Sequence, residues 1–429
     1  MRRHTPAVAG AGLLAVALAG CTGSAEEPEG ATPVEQLDLQ REPQLSDDPL
    51  PEVNPEDLWL PYQIEQLALV APPWPIGAAQ EHHGVFVAPQ ETDGALEFRA
   101  VDADGSILWW AQRPASCTGF VLTSTTEGQD IAVLADVGGP SAELATTVSA
   151  HDLHTGDLVW GPVEVPGPHR GPGLVYAEMP DTFGQPAGTV ALDADTGRTL
   201  DVADPVDTRM VGEYDGVLLA VDETELTALE SGGGNGLEVR WQVPLSDYGW
   251  SADEVAAAAG TNPGQDVALL DVGAEGHSLL DLTDGAVLAE GVRDAVTDAA
   301  TGARVLLDAD GLHGLDPEGE ASWSAPAGAE AQFRAVGGAL VYLLDGGAVR
   351  VHNTLTGEIA VGYDSAGSGD IAIPELIAPT GAVLLTAGDQ SVLATTQQGP
   401  SGDAANGAEG GGTIGRANSA EPSRGIRRR

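Results

Sequence analysis

The stretch VSAHDLHTGDLVW, Val148–Trp160, runs an alternating strand into Asp152, turns to Gly156 and leaves as a second strand ending in Trp160. Asp suits the turn entry because its carboxylate bonds to backbone N–H groups two residues on. Gly suits the exit because that place in a short hairpin loop needs a positive φ. The same grammar returns in TVALDADTGRTL (Thr189–Leu200) and VRVHNTLTGEIAV (Val349–Val361), and in degraded form from Phe98, Leu226, His277 and Leu312. The entry residues are Asp102, Asp152, Asp193, Glu230, Asp281, Asp316 and Asn353. The exit glycines are Gly105, Gly156, Gly197, Gly236, Gly285, Gly319 and Gly357. Seven copies at intervals of 35 to 51 residues mean a repeat architecture.

Another apolar run lies upstream of each copy, and an eighth, Gly381–Leu385, is followed by Ser391–Thr396 without the turn phrase. Eight hairpins, seven with a third strand, at a spacing near 40 residues read as an all-β propeller. Eight blades is the first expectation, and seven blades with one irregular hairpin the alternative. A ring must close, and the last hairpin lacks an outer strand. Glu56-Asp57-Leu58-Trp59-Leu60 looks like Gly156-Asp157-Leu158-Val159-Trp160, so it is expected to pair with that hairpin. Ser251–Glu254 reads as a capping box, followed by Val255–Ala259 and Gly260, which predicts a short helix on one face.

Tryptophan marks the repeat as well. Trp109, Trp160, Trp241 and Trp323 each lie four or five residues after a turn glycine. An indole at a constant place in each blade can wedge against the next blade and bury a large area. The phrase A-x-D-x-x-T-G-x-x-x-W resembles the repeat of the PQQ-like β-propeller family over roughly residues 84–396. His151–Gly156 and Ala191–Gly197 carry that resemblance best. The family includes quinoprotein alcohol dehydrogenases and the propeller lipoprotein of the outer-membrane β-barrel assembly machinery. The resemblance implies blade structure, with Asp102, Asp152, Asp193, Asp281, Asp316, Gly156, Gly197 and the four tryptophans as repeat anchors. It does not by itself imply a function.

Residues 1–20 have the parts of a lipoprotein signal peptide. Arg2, Arg3 and His4 form a basic start, and Ala7–Ala19 is a short apolar stretch too short to span a bilayer. Leu18-Ala19-Gly20-Cys21 resembles the bacterial lipobox, which makes Cys21 the expected lipidation site, carrying fatty acyl chains such as palmitate. Two chains give stable anchoring, so the expected location is the extracytoplasmic face of the cell membrane. Residues 21–50 read as a disordered acidic tether, 51–396 as the propeller and 397–429 as a disordered tail ending in three arginines. With Cys21 lipidated, Cys117 has no disulfide partner and is expected to be a buried, inert thiol.

The formal net charge is −47 and every one of the 18 basic residues is Arg. That balance argues against nucleic acid, which needs clustered positive charge. No nucleophile elbow or phosphate loop is present, and no adjacent cysteine pair that the resemblance would require for quinone stacking. His151 and His154 sit inside the repeat phrase, where other copies carry Val101, Leu192 or Leu315, so they are not read as metal ligands. His82-His83 precedes a strand, and strand neighbours point to opposite faces, so the pair is not expected to share an ion. No catalytic, cofactor or metal residue is assigned. The reading is an envelope scaffold binding a protein or a small extracellular ligand. The alternatives are a quinone-dependent oxidoreductase and a carbohydrate-active propeller.

Overall fold

The computed structural model describes residues 38–137, 145–177, 188–200, 208–214, 216–231, 237–258, 264, 266–273 and 276–399. Cys21, Gly236, Gly260 and most of the expected tether and tail lie outside them. A first unit ends at Asp38, and the second, from Leu39 onward, holds all the strands described here.

Among the described residues the second unit is all-β, with two single 3-10 turns at Pro55–Asp57 and Leu245–Asp247. Among the described residues eight sheets follow one another along the chain. The second is typical: Phe120–Ser124, Asp130–Val137, Thr146–Asp152 and Leu158–Val165 pair antiparallel in chain order. The fourth (Arg209–Tyr214 to Leu237–Pro244), fifth (Ala256–Ala257 to Val287–Val292) and sixth (Asp294–Thr297 to Ala321–Ala325) repeat that order. The first runs from Gln80–His82 to Ile107–Pro114, and the seventh has three strands, Gln332–Gly337, Leu340–Asp345 and Ala348–Asn353. Among the described residues the third has two strands, Val175–Ala177 with Thr189–Ala191, flanked by the single bridges His169–Tyr176 and Leu192–Thr199. Among the described residues seven sheets therefore carry three or more strands and the remaining place is an irregular hairpin, which is the seven-bladed alternative rather than the eight-bladed first expectation.

Consecutive sheets pack face to face through their first strands: Gln80–His82 lies beside Phe120–Ser124, and Gln332–Gly337 beside both Asp294–Thr297 and Asp370–Ile377. The cores lie accordingly in the seams. Val87, Phe98 and Trp109 of the first sheet meet Phe120, Ala132 and Leu153 of the second. Leu219 and Trp241 of the fourth meet Leu270 and Leu282 of the fifth. Phe86 and Val101 of the first meet Leu384 and Leu393 of the last. The last seam joins the end of the order to its beginning, and Thr396 N donates to Ala103 O at 2.8 Å across it. This is a β-propeller: neighbouring sheets share cores pairwise, and closure leaves no long free edge at that seam.

The N-terminal side does complete the last sheet, by a different segment from the one expected. Leu67–Val70 is its outer strand, antiparallel to Gln390–Gln398, with Leu69 opposite Ala394. Leu58–Trp59 instead pairs parallel with the start of the inner strand, Leu58 opposite Asp370. The reason lies in local chemistry. Asn54 accepts from Glu56 N and starts a 3-10 turn at Pro55, which leaves only two residues free to pair. Leu67–Val70 is an uninterrupted apolar run, and it buries Leu69 against Val383 and Val392.

Two further expectations change. Within the segment expected as tether, residues 21–50, Gln44–Leu45 pairs outside Ile107–Pro114, and Arg113 Nη1 donates to Arg41 O at 2.5 Å. The helix expected after Ser251 does not form. Val255 N bonds to Ser251 O to close one turn, and Ala256–Ala257 then pairs with Val267–Asp271 as the inner strand of the fifth sheet. Val255 is fully buried there, and Arg209 Nη2 donates to the carbonyls of Ala252 and Val255. A helix of five residues is marginal on its own, so strand pairing and burial decide.

Candidate functional site

The repeat anchors occupy the seams. Trp109 Nε1 donates to Leu153 O at 2.9 Å, Trp160 to Ala194 O at 2.7 Å, Trp241 to Leu282 O at 2.9 Å and Trp323 to Thr354 O at 2.8 Å. Each acceptor is the residue after the turn entry of the next sheet: Asp152, Asp193, Asp281 or Asn353. The entry side chains hold their turns, with Asp152 accepting from Thr155 N at 2.8 Å, Asp193 from Thr196 N at 2.8 Å, Asp281 from Thr283 N at 2.7 Å and Asp316 from Glu320 N at 2.8 Å. In the first copy the side chain that does this is Asp104, two residues beyond Asp102, which accepts from Ser106 N at 2.9 Å. Gly156 and Gly197 lie under the rings of Trp109 and Trp160. These residues build the ring and leave its ends to carry function.

One end holds a cavity of about 420 Å3, lined among others by His83, Thr126, Asp193, Tyr214, Arg240 and Asp266. These residues come from the first to the fifth sheets. Most lie on the turns after the first strand and before the last strand of each sheet, which antiparallel pairing puts at the same end.

At its rim the first two sheets bring His82, His83 and Asp130 together, with one ligand-capable atom of each within 4.8 Å of the others. Among the described residues this is the group of three such side chains that can hold a metal ion. His82 Nε2 lies 3.3 Å and His83 Nδ1 2.9 Å from Asp130 Oδ1. Ser124 Oγ donates to that same oxygen at 2.8 Å and sits 2.8 Å from His82 Nε2. Gln129 Nε2, next in the chain to Asp130, donates to Asp152 Oδ2 at 2.8 Å, tying the cluster to the repeat turn of the second sheet.

The expectation that His82 and His83 face apart is overturned. Gln80–His82 pairs with the next strand so that His82 lies opposite Val85, which leaves a two-residue loop, His83-Gly84. Such a loop takes a positive φ at both positions, and the values here are 48° and 93°. His83 is therefore a turn residue rather than a strand residue, and its ring lies 4.2 Å from that of His82. The signal in the sequence was the His-Gly pair directly before the apolar run Val85–Ala88.

Burial, and next the neighbouring His83, push the His82 pKa down, which favours the neutral ring. Burial works against the Asp130 carboxylate, but hydrogen bonds from Ser124 and His83 outweigh it and its pKa is lowered. His151 and His154, set aside as ligands, are not among the three grouped side chains, although His154 is near enough to act on the charge of His82. His151 is buried with Nδ1 donating to Gly156 O at 3.2 Å. Cys117 is buried, and burial pushes its thiol pKa up, as for an inert thiol.

A second feature is apolar. The seventh sheet has no full fourth strand, and its outer segment joins only through the bridge between His352 and Ile359. Ile359 is 73% exposed and Val361 77% exposed, and as alternate residues of an extended segment they share one face. Tyr62, also exposed, adjoins them through its N–H bond to Gly362 O at 2.9 Å.

Among the described residues, no helix is long and apolar enough to cross a membrane. No protein-family model matches the sequence, and no curated protein matches it. Solved propeller structures are similar at a distance. BamB from Moraxella catarrhalis is 13% identical, covering 76% of this chain and 96% of its own, with a TM-score of 0.39. Apo AztD from Citrobacter koseri is 16% identical over 68% of this chain and 87% of its own, with a TM-score of 0.42. The computationally designed protein Ika8 is 14% identical over 79% and 98%, also with a TM-score of 0.42. At such scores the fold assignment stands on the strand pairing and the seam cores described above.

Proposed function

We propose that this chain is an exported, lipid-anchored propeller of the PQQ-like repeat kind that binds a protein partner in the cell envelope. The observation that carries the binding role is the open edge of the seventh sheet. Ile359 and Val361 stand in solvent on a segment that joins the sheet through a single bridge and takes the Tyr62 N–H at Gly362 O. A contiguous apolar face of this kind marks an interaction surface, and an open strand edge suits an extended segment of a partner. The anchoring half of the proposal rests on the order of basic start, short apolar stretch and Leu18-Ala19-Gly20-Cys21. No nucleic acid enters the proposal, since the net charge is −47.

A photo-reactive residue at position 359, used in intact membranes, tests the binding role. One reproducible protein adduct is expected, and it should disappear when Val361→Asp is added. Adducts no different from those of a probe at an unrelated exposed site, such as Gly77, would overturn it. Anchoring is checked separately. Mass spectrometry of the mature N-terminus should find acyl chains on Cys21, and Cys21→Ala should leave the membrane fraction.

A further inference from the structure

We propose that His82, His83 and Asp130 form a site for one divalent transition-metal ion of the zinc class, with a coordination position open to the cavity. The site requires neither the lipid anchor nor the protein partner of the preceding proposal.

The donor set points to the metal. Two imidazole nitrogens and one carboxylate oxygen suit zinc and its first-row neighbours, whereas calcium and magnesium take oxygen ligands. The geometry agrees. Tetrahedral bonds of about 2.0–2.1 Å put neighbouring ligand atoms about 3.3 Å apart. His82 Nε2 and His83 Nδ1 are already 3.3 Å and 2.9 Å from Asp130 Oδ1. All three ligand atoms already lie within 4.8 Å of one another, so side-chain adjustments bring them toward one ion.

The surroundings are those of a held site. The side chains of His82 and Asp130 are only 11% and 13% exposed, while that of His83 is 47% exposed and lines the cavity. Ser124 fixes the carboxylate from outside the ligand set, the role that supporting hydrogen bonds play around bound metals. With Ser124 donating to Asp130, His82 donates Nε2–H to Ser124 Oγ in the metal-free chain. Binding moves that proton to Nδ1 and frees the Nε2 lone pair. His83 holds a left-handed backbone that asparagine or glycine would adopt with less strain. The hairpin accepts this cost at the residue whose ring completes the cluster.

Titration of the purified full chain with Co(II), followed by Zn(II), tests the proposal. One equivalent of Co(II) should produce the visible bands of a low-coordinate nitrogen and oxygen site, and Zn(II) should abolish them. His82→Ala and Asp130→Asn should each weaken binding by roughly 100-fold, and Ser124→Ala by roughly 10-fold. His83→Gly separates binding from folding. It should weaken binding as much as His82→Ala, while the metal-free melting temperature falls by no more than about 2 °C, because Gly relieves the positive φ. His313→Ala, which removes a ring paired with Asp308 in the sixth sheet, should change nothing. The proposal is overturned if wild type gives no visible bands or if the bands survive in His83→Gly. It is also overturned if excess Mg(II) displaces the ion, which would mark diffuse attraction to an acidic surface.

Discussion

The indole of Trp160 and the backbone of Gly197 lie in contact across the seam between the second and third sheets. A Cβ on that glycine would sit 2.4 Å from Trp160 Cε3. The ring donates its N–H to Ala194 O at 2.7 Å, inside the turn that Gly197 closes. The pairing recurs with Trp109 on Gly156, Trp241 on Gly285 and Trp323 on Gly357. Where the outer strand lacks Trp, an aliphatic side chain takes its place. Leu288 packs on Gly319, and Val70 lies beside Gly105, where the Thr395 methyl is nearer still. The turn glycine thus does two jobs, one conformational and one steric.

Those jobs separate experimentally. Gly197→Ala meets both a φ of +67° and the Trp160 ring. Strain of about 1–2 kcal/mol adds to overpacking of about 1–3 kcal/mol. Gly77→Ala has a φ of +71° and nothing within 4 Å, so it carries the strain alone. Denaturant midpoints should show Gly197→Ala as the more destabilised variant by at least 1 kcal/mol. Equal costs would mean that the indole contact is slack.

Asp298 ties the sixth sheet to the seventh. Its side chain is fully buried. Oδ2 accepts from Ala339 N at 2.8 Å and from the hydroxyls of Thr301 and Thr354 at 3.0 Å, and Oδ1 from Ala300 N at 3.0 Å. Asp298→Asn brings an NH2 group against one set of these donors whichever way the amide turns. A loss of about 3 kcal/mol is expected in equilibrium unfolding. Thr354 also supplies the carbonyl for Trp323, so Asp298→Asn and Trp323→Phe should be non-additive in a double-mutant cycle.

The ring was legible because its signal is periodic: Asp and Gly at fixed offsets, repeated, declare the hairpins. The closing strand and the histidine cluster were not legible, nor were the strand at Gln44–Leu45 and the pairing of Ala256–Ala257. Likeness to Gly156–Trp160 points to the segment around Trp59. Trp59 in fact donates to Asp364 O at 2.9 Å, while the unremarkable run Leu67–Val70 closes the sheet. The histidine cluster is hidden in the sequence because its residues come from two sheets and because the strand period ends one residue before His83. His82 ends the strand; His83 belongs to the turn, where alternation no longer holds.

His151 gives the stability a pH dependence. Burial first, then the positive charge of Arg113, pushes its pKa down from 6.5 to about 4, against the opposing bond to Gly156 O. Its Nε2 is buried without a hydrogen-bond partner, so the protonated ring would bury an unpaired N–H. The unfolded chain takes up this proton near pH 6.5 and the folded chain not until about pH 4. Stability from this group is therefore intact above pH 6.5 and falls as pH drops to about 4, by roughly 3 kcal/mol in all. His151→Leu, the residue type at Leu192 and Leu315, should flatten that decline. His82 and His169, also lowered by burial, leave a smaller slope behind. A His151→Leu profile parallel to wild type between pH 7 and 4.5 would contradict the assignment.

The closing strand offers the sharpest contrast between two candidates in one chain. Leu69 is 4% exposed, packs with Val383 and Val392, and its carbonyl accepts from Val53 N at 2.9 Å. Truncation to Ala removes buried methyl groups and leaves a cavity in the last sheet, at a cost of about 2–5 kcal/mol. Trp59→Phe keeps most of the ring and loses one hydrogen bond at a partly exposed site, worth about 1 kcal/mol. Thermal melts should therefore rank Leu69→Ala well below Trp59→Phe. Because the two segments meet opposite edges of the same sheet, the ranking reports which edge closes the ring. A Trp59→Phe variant as unstable as Leu69→Ala would move the closure to the inner edge, where Leu58 lies opposite Asp370.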